Sequence, residues 1–206
     1  MLNCNCMKQN KGLFIVLEGL DGAGTSSQVQ ILYEKLLSQG KAVIKTKEPT
    51  DGPIGRFIKK ILREEYKTSP LALQLLFCAD RAEHLEREIL PALTQNKIVI
   101  SDRYFQSTLA YGALDLPLDI LKDLNRHFHK PDLTIFLDVS VETCLQRIKE
   151  SRKKLEIFEE ERKLSKIAQN YKKIISDPYF GMKRIDGEKS LNAVAEDVYN
   201  LLTAYF

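Results

Sequence analysis

Short apolar segments alternate with longer segments of helical spacing along the whole chain. The apolar segments predict five strands, at residues 13–17, 42–46, 98–101, 133–138 and 182–185. The segments between them predict helices at residues 26–39, 54–64, 70–95, 104–113, 118–128, 141–149 and 191–204, and one more that ends near residues 177–178. Buried strands that alternate with helices are typical of a parallel sheet covered on both faces. We therefore expect an α/β fold built on a five-stranded parallel sheet.

The same pattern indicates one domain. We find no linker, repeat or low-complexity segment between residues 12 and 206, and we predict a single domain there. Residues 1–11 are polar and carry no structural pattern, so we expect them to form a disordered leader. Pro91 is expected to kink the helix predicted at 70–95, because proline cannot donate the hydrogen bond that a helix interior requires.

Composition and charge narrow the range of functions. The net charge of +3 over 206 residues is too weak a bias to indicate binding to a nucleic-acid polymer. No apolar run approaches the length of about 18 residues that a membrane span needs, and the N-terminal segment lacks a signal-peptide pattern. We therefore expect a cytoplasmic protein that does not bind membranes.

The most specific chemical signal is the segment G-L-D-G-A-G-T-S-S at residues 19–27, between the first predicted strand and the first predicted helix. Its spacing matches the phosphate-binding loop G-x-x-x-x-G-K-[ST], in which backbone N–H groups surround phosphate oxygens. A glycine-rich turn without a ligand is the alternative, but the strand-loop-helix context favours a nucleotide. The predicted nucleotide-binding residues of this loop are Gly19, Leu20, Asp21, Gly22, Ala23, Gly24, Thr25, Ser26 and Ser27.

The loop departs from the template at one position, because Thr25 occupies the place of the lysine. That lysine reaches the β- and γ-phosphates. Losing a charge-assisted hydrogen bond of about 1.5–3 kcal/mol would slow a reaction roughly 10- to 100-fold, so we expect another cation to replace it. The candidates are Arg103 and the basic run Arg152, Lys153 and Lys154.

Ser26, Asp102 and Arg103 predict where a metal and a phosphate would lie. Ser26 stands where the phosphate-binding loop places a hydroxyl on Mg²⁺. Asp102 and Arg103 follow the strand predicted at 98–101, and ligands of parallel sheets bind at the carboxyl ends of the strands. We expect Asp102 to hold Mg²⁺ or its water ligands and Arg103 to contact a phosphate, with a surface ion pair as the alternative. Glu48 ends the second predicted strand and is expected on the same rim.

Five segments together resemble the thymidylate kinase family, which transfers the γ-phosphate of ATP to dTMP. They are F-I-V-L-E-G-L-D-G-A-G-T-S-S-Q, K-E-P-T, L-L-F-C-A-D-R-A-E-H, S-D-R-Y-F-Q-S-T-L-A-Y and P-D-L-T-I-F-L-D-V. The third and fourth are the specific ones, since a phosphate-binding loop alone occurs in many unrelated proteins. The resemblance implies a three-layer P-loop kinase fold with a short lid, ATP and dTMP as substrates, Mg²⁺ as cofactor and a homodimer.

The resemblance also implies roles at the base and sugar of dTMP. Phe77 would stack on thymine and Arg81 would hydrogen-bond the base, with Ser107 near the base edge. Tyr111 would crowd the sugar C2′ and disfavour ribose. The spacing places Phe77, Arg81 and His84 on one helix face, although an apolar stripe of this kind more often belongs to a core. We interpret His84 as structural.

Further roles concern the phosphate and the sugar 3′-hydroxyl. By resemblance, Arg56 and Arg103 would hold the dTMP phosphate, Asp21 would approach the 3′-hydroxyl and the magnesium site, and Glu48 would support this region. The full set of predicted dTMP-binding residues is therefore Asp21, Glu48, Arg56, Phe77, Arg81, Arg103, Ser107 and Tyr111.

The charged residues 150–163 fall where the family has its mobile lid. The resemblance implies that the lid supplies the catalytic arginine in relatives with an alanine-type or glycine-type phosphate loop. The loop here has Ala23 and no basic residue, so Arg152 is the candidate, with Lys153 and Lys154 as alternatives. Arg147 would face the adenine. The predicted catalytic residues are Arg152, Arg103 and Asp21.

Two other functions are compatible with the residues. The first is a kinase for another nucleoside monophosphate or a deoxynucleoside. The second is a nucleotide-binding regulatory protein that has lost catalysis, which the absence of the loop lysine would explain.

The sequence also departs from the family pattern at two other places. Gly112 stands where the family usually has glutamine, and the segment K-E-P-T-D-G-P lacks the usual double glycine; both departures concern dTMP contacts.

The lid hypothesis leads to a test by substitution. Arg152→Ala should lower turnover far more than nucleotide binding, and Thr25→Lys should partly restore turnover in the same chain, because both changes act on the charge at the transferring phosphate. Steady-state kinetics and nucleotide titrations measure the two effects. An Arg152→Ala enzyme of unchanged turnover would assign the role to a different cation.

Overall fold

Five parallel strands form a sheet at the centre of the protein, as described by a computed structural model for residues 12–151 and 157–205. The elements follow the chain in the order β1 Leu13–Gly19, α1 Thr25–Ser38, β2 Val43–Lys47, α2 Pro53–Leu62, α3 Pro70–His84, a π-helical turn Leu85–Ile89, α4 Leu90–Thr94, β3 Ile98–Asp102, α5 Phe105–Gly112, α6 Leu118–Asn125, β4 Leu133–Asp138, α7 Val141–Ser151, α8 Ile157–Ser176, β5 Lys183–Asp186 and α9 Leu191–Thr203. This architecture confirms the predicted α/β fold.

The composition of each strand agrees with its place at the centre or at an edge of the sheet. The sheet runs β2-β3-β1-β4-β5, with every neighbouring pair parallel. The three inner strands β1, β3 and β4 are almost continuously apolar, as strands covered on both faces must be. The outer strands carry V-I-K-T-K and K-R-I-D, whose polar side chains are tolerated where one edge meets solvent.

Helices cover both faces of the sheet. On one face Lys45 of β2 reaches Gln30 and the ring of Tyr33 in α1, and α9 packs beside α1. On the other face the neighbouring Thr46 contacts His84 of α3, and α3, α5 and α8 pack in succession. Because side chains alternate along a strand, the odd-numbered positions of β2 face α1 and the even-numbered positions face α3.

The helix predicted at residues 70–95 is confirmed over residues 70–94, but a π-helical turn interrupts its regular geometry just before Pro91. Regular α-helix ends at His84, one π-helical turn follows, and α4 begins at Leu90. Pro91 explains the change, because its ring excludes the carbonyl group of residue 87 and it has no N–H to donate, so the turn before it widens. The other element bounds shift by three residues or fewer, with the largest shift at α6, which ends at Asn125.

Two predictions concern residues that the structure does not cover fully. The leader predicted at 1–11 lies outside the described residues, and so does part of the lid predicted at 150–163. Within the lid, α7 ends at Ser151 and α8 begins at Ile157. None of the helices in the described ranges is long and apolar enough to cross a membrane.

Candidate active site

The phosphate-binding loop connects β1 to α1 through two glycines that adopt left-handed backbone angles. Gly22 has φ 85° and Gly24 has φ 94°, a region that disfavours residues with a side chain. A Cβ atom on Gly22 would lie 2.6 Å from the carbonyl oxygen of Cys144, so close packing against α7 also requires glycine there. No side chain caps α1 and its first turn has no acidic residue, which leaves its N-terminal N–H groups for an anion.

Ser26 and Asp102 meet next to this loop, as the sequence predicts for a metal pair. The hydroxyl of Ser26 donates a hydrogen bond to Oδ2 of Asp102. The other carboxylate oxygen, Oδ1, is buried and has no hydrogen-bond partner among the residues that the structure describes. Mg²⁺ prefers oxygen ligands and takes few from the protein, so this pair fits the ion. Within the described ranges, no group of three or more acidic, histidine or cysteine side chains is arranged so that it could hold a metal ion.

The guanidinium of Arg103 joins the loop to the predicted acceptor site. Its Nη1 donates to the carbonyl oxygen of Gly19 at 2.9 Å and to Oγ of Ser107 at 3.0 Å, and its Nη2 donates to Oδ1 of Asp21 at 2.8 Å. The ring of Tyr111 lies 5.2 Å from the guanidinium carbon, and its hydroxyl accepts the N–H of Asp21 at 3.1 Å. Asp21, Arg103, Ser107 and Tyr111 thus form one cluster, which supports their predicted place at a common site.

Glu18 is a buried acid that the sequence analysis missed. Its carboxylate accepts hydrogen bonds from the backbone N–H of Tyr104 at 2.9 Å, the hydroxyl of Ser107 at 2.6 Å and the hydroxyl of Tyr171 at 2.9 Å. Burial raises the pKa of Glu18, although the charge of Arg103 and these hydrogen bonds oppose the rise. An acidic residue at the end of the apolar run L-F-I-V-L-E was the available signal. Tyr171 of α8 has no such signal, because only the tertiary fold brings it to the site.

A second cluster surrounds Arg81. Its Nε donates to Glu48 at 2.9 Å, its Nη1 to Oδ1 of Asn125 at 2.6 Å and its Nη2 to Oγ1 of Thr108 at 2.8 Å. The guanidinium lies between two aromatic rings, at 5.1 Å from Tyr104 and 5.3 Å from Phe128, and the side chain is buried. Arg81 is therefore held in one orientation by partners from α5, from α6 and from the segments next to α5, α6 and β2.

His84 extends this cluster through Glu48. Its Nδ1 lies 3.1 Å from Oε1 of Glu48, and its Nε2 lies 2.7 Å from the hydroxyl of Thr46 and 3.5 Å from Glu88. Burial lowers the pKa of His84, but the hydrogen bonds and charges of Glu48 and Glu88 outweigh burial and raise it to about 9. The structural interpretation of His84 agrees with these contacts.

The structure brings the remaining predicted residues less closely together. Arg56 lies in the first turn of α2, where its guanidinium donates to the carbonyl of Asp51 at 2.6 Å, and no contact joins it to Arg103 in the described part of the chain. Phe77 is partly buried on α3. Arg147 donates to the carbonyls of Gly22, Ala23 and Gly187 at 3.4–3.5 Å. Arg152, Lys153 and Lys154 lie outside the described residues, so their predicted roles stay predictions.

Packing explains why glycine stands at position 112 in place of the family's usual glutamine. A Cβ atom at this position would lie 3.0 Å from Cδ of Gln74 and 3.0 Å from a methyl carbon of Leu121. The glycine therefore leaves room for the buried Gln74 of α3 against the end of α5.

The pH dependence of stability should show the pairing of His84 with Glu48. The pKa of His84 is about 9 in the folded protein against an ordinary value of 6.5. The protonated side chain therefore stabilises the fold fully below pH 6.5, and this contribution is lost as the pH rises through about 9. The loss is at most about 3 kcal/mol of unfolding free energy. Urea unfolding on both sides of this window should show it in the unmodified protein and not in His84→Gln.

The exposed His127 provides the matched control. His127→Gln should keep the pH dependence of the unmodified protein. An equal fall in stability in His84→Gln would show that another group causes it.

Comparison with known proteins agrees with this geometry. The family model described as thymidylate kinase matches residues 17–198. The chain is 41% identical over 202 residues to a probable thymidylate kinase of Thermococcus kodakarensis, covering 92% of this chain and 97% of that protein. It is 37% identical over 194 residues to a thymidylate kinase of Leptospira interrogans, covering 93% and 94%. A thymidylate kinase of Desulfotalea psychrophila is similar to the same extent, with 37% identity over 93% and 95%. On these matches and on its fold, this chain belongs to the thymidylate kinase family.

Proposed function

We propose that this protein transfers the γ-phosphate of ATP to dTMP, which yields ADP and dTDP. The observation that carries the proposal is the Arg103 cluster, because one guanidinium contacts both the phosphate-binding loop and the predicted acceptor residues. Direct transfer requires the donor and acceptor phosphates to meet at such a junction. Membership of the thymidylate kinase family supports this choice of substrates.

The donor half consists of the loop, the N-terminus of α1 and the pair Ser26 and Asp102. The N–H groups of the loop and of α1 would hold the phosphates of ATP. Mg²⁺ bound at Ser26 and Asp102 would neutralise charge on the β- and γ-phosphates. The acceptor phosphate is already ionised near neutral pH, so no strong general base is needed, and the residues act by positioning and by charge.

The acceptor half consists of the two arginine clusters. Arg103 and Arg56 would hold the dTMP phosphate, and Asp21 would approach the sugar 3′-hydroxyl. Phe77 would stack on thymine, and Arg81 would donate its remaining N–H to the base. Because Arg81 is held by Glu48, Asn125 and Thr108, little conformational freedom would be lost on binding. Tyr111 would lie against C2′ and favour deoxyribose.

A direct assay tests this function. The purified protein with Mg²⁺, ATP and dTMP should form dTDP, measured by chromatography, and a panel of acceptors should show a preference for dTMP over dCMP, AMP and thymidine. Arg103→Gln should lower kcat/KM by about 100-fold or more, since it removes charge at the junction. Arg126→Gln changes an exposed arginine directly after α6 and should leave activity unchanged.

The assay also separates the two alternatives. Preference for another acceptor would favour a different nucleotide kinase. Calorimetric binding of both nucleotides without any turnover would favour a regulatory protein.

We also propose that the enzyme works in the cytoplasm, where ATP and nucleoside monophosphates are available.

We further propose a homodimer that forms through α3. Leu71 and Leu75 lie one turn apart on this helix with 44% and 49% of their surface exposed, while its opposite side packs into the fold. Exposed leucines grouped on one helix face commonly mark an interface. Leu62 and Tyr66, near the end of α2, are exposed close to α3 in the chain.

Light scattering coupled to size-exclusion chromatography tests the dimer. Leu75→Glu should shift the mass from dimer to monomer, because a carboxylate would be buried without a partner. Leu37→Glu changes an equally exposed leucine of α1 and should leave the dimer intact. An unmodified protein of monomeric mass would contradict the proposal.

A further inference from the structure

Thr25 leaves the phosphate-binding loop without its usual positive charge. The residue is buried at the first position of α1, where the lysine of the loop template would stand. Two arginines next to the loop are already engaged. Arg103 contacts Gly19, Asp21 and Ser107, and Arg147 contacts backbone carbonyl groups of the loop from the side of α7.

Strand β2 places another cation beside the metal pair. Lys47, its last residue, is the register partner of Asp102 in β3. Paired residues of parallel strands point to the same side of the sheet, and adjacent strands lie only about 4.8 Å apart. Asp102 faces α1, because its carboxylate contacts Ser26. Lys47 therefore lies on the same face and at the same carboxyl edge as the predicted magnesium site.

We propose that Lys47 supplies the positive charge that the loop lacks and contacts the β- and γ-phosphates of ATP from the β2 side. The proposal depends on the proposed kinase function. During transfer, the bond between the γ-phosphorus and the bridging oxygen breaks, and its electron pair stays on ADP. An oxygen of the dTMP phosphate forms the new bond to phosphorus. Lys47 remains protonated and acts through its charge.

The present partner of Lys47 leaves it available for this role. Its Nζ lies 3.1 Å from Oδ2 of Asp51, and 53% of the side chain is exposed. Asp51 also pairs through its other oxygen with Lys59 of α2, so the carboxylate keeps a cation when Lys47 moves away. Exposed ion pairs of this kind contribute little to stability, and the lysine stem is flexible.

A cavity of about 690 Å³ provides the space for this movement. Ser26, Asp102 and Lys47 all line it, so the ammonium group and the metal pair face a common space. The volume is in the range of small-molecule sites. Lys45 lines the same cavity two residues earlier on the same face, but its Nζ is bonded to Gln30 and lies over the ring of Tyr33.

Substitutions at these two lysines test the role of Lys47. Lys47→Met should lower kcat about 10- to 100-fold and weaken Mg·ATP binding at least about threefold, because a charge-assisted contact is lost. Lys47→Arg should keep most of the activity. Lys45→Met is the matched control, since it removes a lysine of the same strand and face, and it should change kcat by less than about twofold. Thermal unfolding of each variant checks that the fold is intact.

A second substitution identifies the group that Lys47 contacts. Thr25→Lys restores the template lysine, and it should raise kcat of the Lys47→Met chain at least about fivefold while having a smaller effect in the unmodified chain. Equal activity of Lys47→Met and Lys45→Met would overturn the proposal. Failure of Thr25→Lys to restore activity, together with a raised KM for dTMP, would also overturn it, since Lys47 would then act on the acceptor.

Different results would contradict the kinase function and the role of Lys47. An unmodified protein that makes no dTDP contradicts the kinase function. In that case calorimetry with Mg·ATP still tests Lys47, because equal affinities of the Lys47→Met and Lys45→Met proteins would overturn its assignment to the phosphates. Active unmodified protein with no difference between these variants contradicts the assignment of Lys47 alone. A combined Lys47→Met and Arg152→Ala chain separates the contribution of β2 from that of the lid.

Discussion

The partly buried ion cluster of Arg103 connects the parts of the site that must act together. Its guanidinium contacts the end of β1, the phosphate-binding loop and the start of α5, and the charges of Asp21 and Glu18 face it. Burial would lower the pKa of an isolated arginine, but the surrounding acidic and phenolic groups hold the pKa of Arg103 well above its usual value. Since each partner depends on this charge, the cluster holds the junction of donor and acceptor in one geometry.

Glu18 links this junction to the helix that follows the lid. The same carboxylate accepts from Ser107 in α5 and from Tyr171 in α8. A buried carboxylate is tolerated only when hydrogen bonds and a nearby cation compensate its lost hydration, and Glu18 has both. The position of α8, and with it the C-terminal side of the predicted lid, is therefore set by groups that also position Ser107.

The acceptor side depends on a second, separate network. Glu48 at the end of β2 pairs with Arg81 and His84 of α3, and Arg81 reaches Asn125 in α6. The two networks use different acids, so each arginine has its own buried counter-ion. The rim of the sheet thus presents fixed arginines beside Lys47, an exposed lysine whose partner Asp51 also pairs with Lys59.

The amino-acid sequence by itself determined the fold class, the phosphate-binding loop and the approach of Asp102 to Ser26. These features depend on the local pattern of apolar and polar residues and on the rule that parallel strands have their carboxyl ends at one edge of the sheet. Both can be read from the sequence. The resemblance to the thymidylate kinase family rested on segments that are specific to that family. The family model that matches residues 17–198 confirms it. The sequence could not locate the π-helical turn before Pro91, because propensity alone does not distinguish a kink from a wider turn.

Only the tertiary structure decided which distant residues meet. Asn125 and Thr108 hold Arg81 from positions 44 and 27 residues away, and Tyr171 reaches Glu18 across 153 residues. Such contacts depend on how helices pack on the sheet, which periodicity does not specify. The pairing of Lys47 with Asp102 is of the same kind, because the register of two strands far apart in the chain follows from the whole sheet. The missing lysine was visible in the sequence, whereas the neighbouring cation became visible only in the assembled sheet.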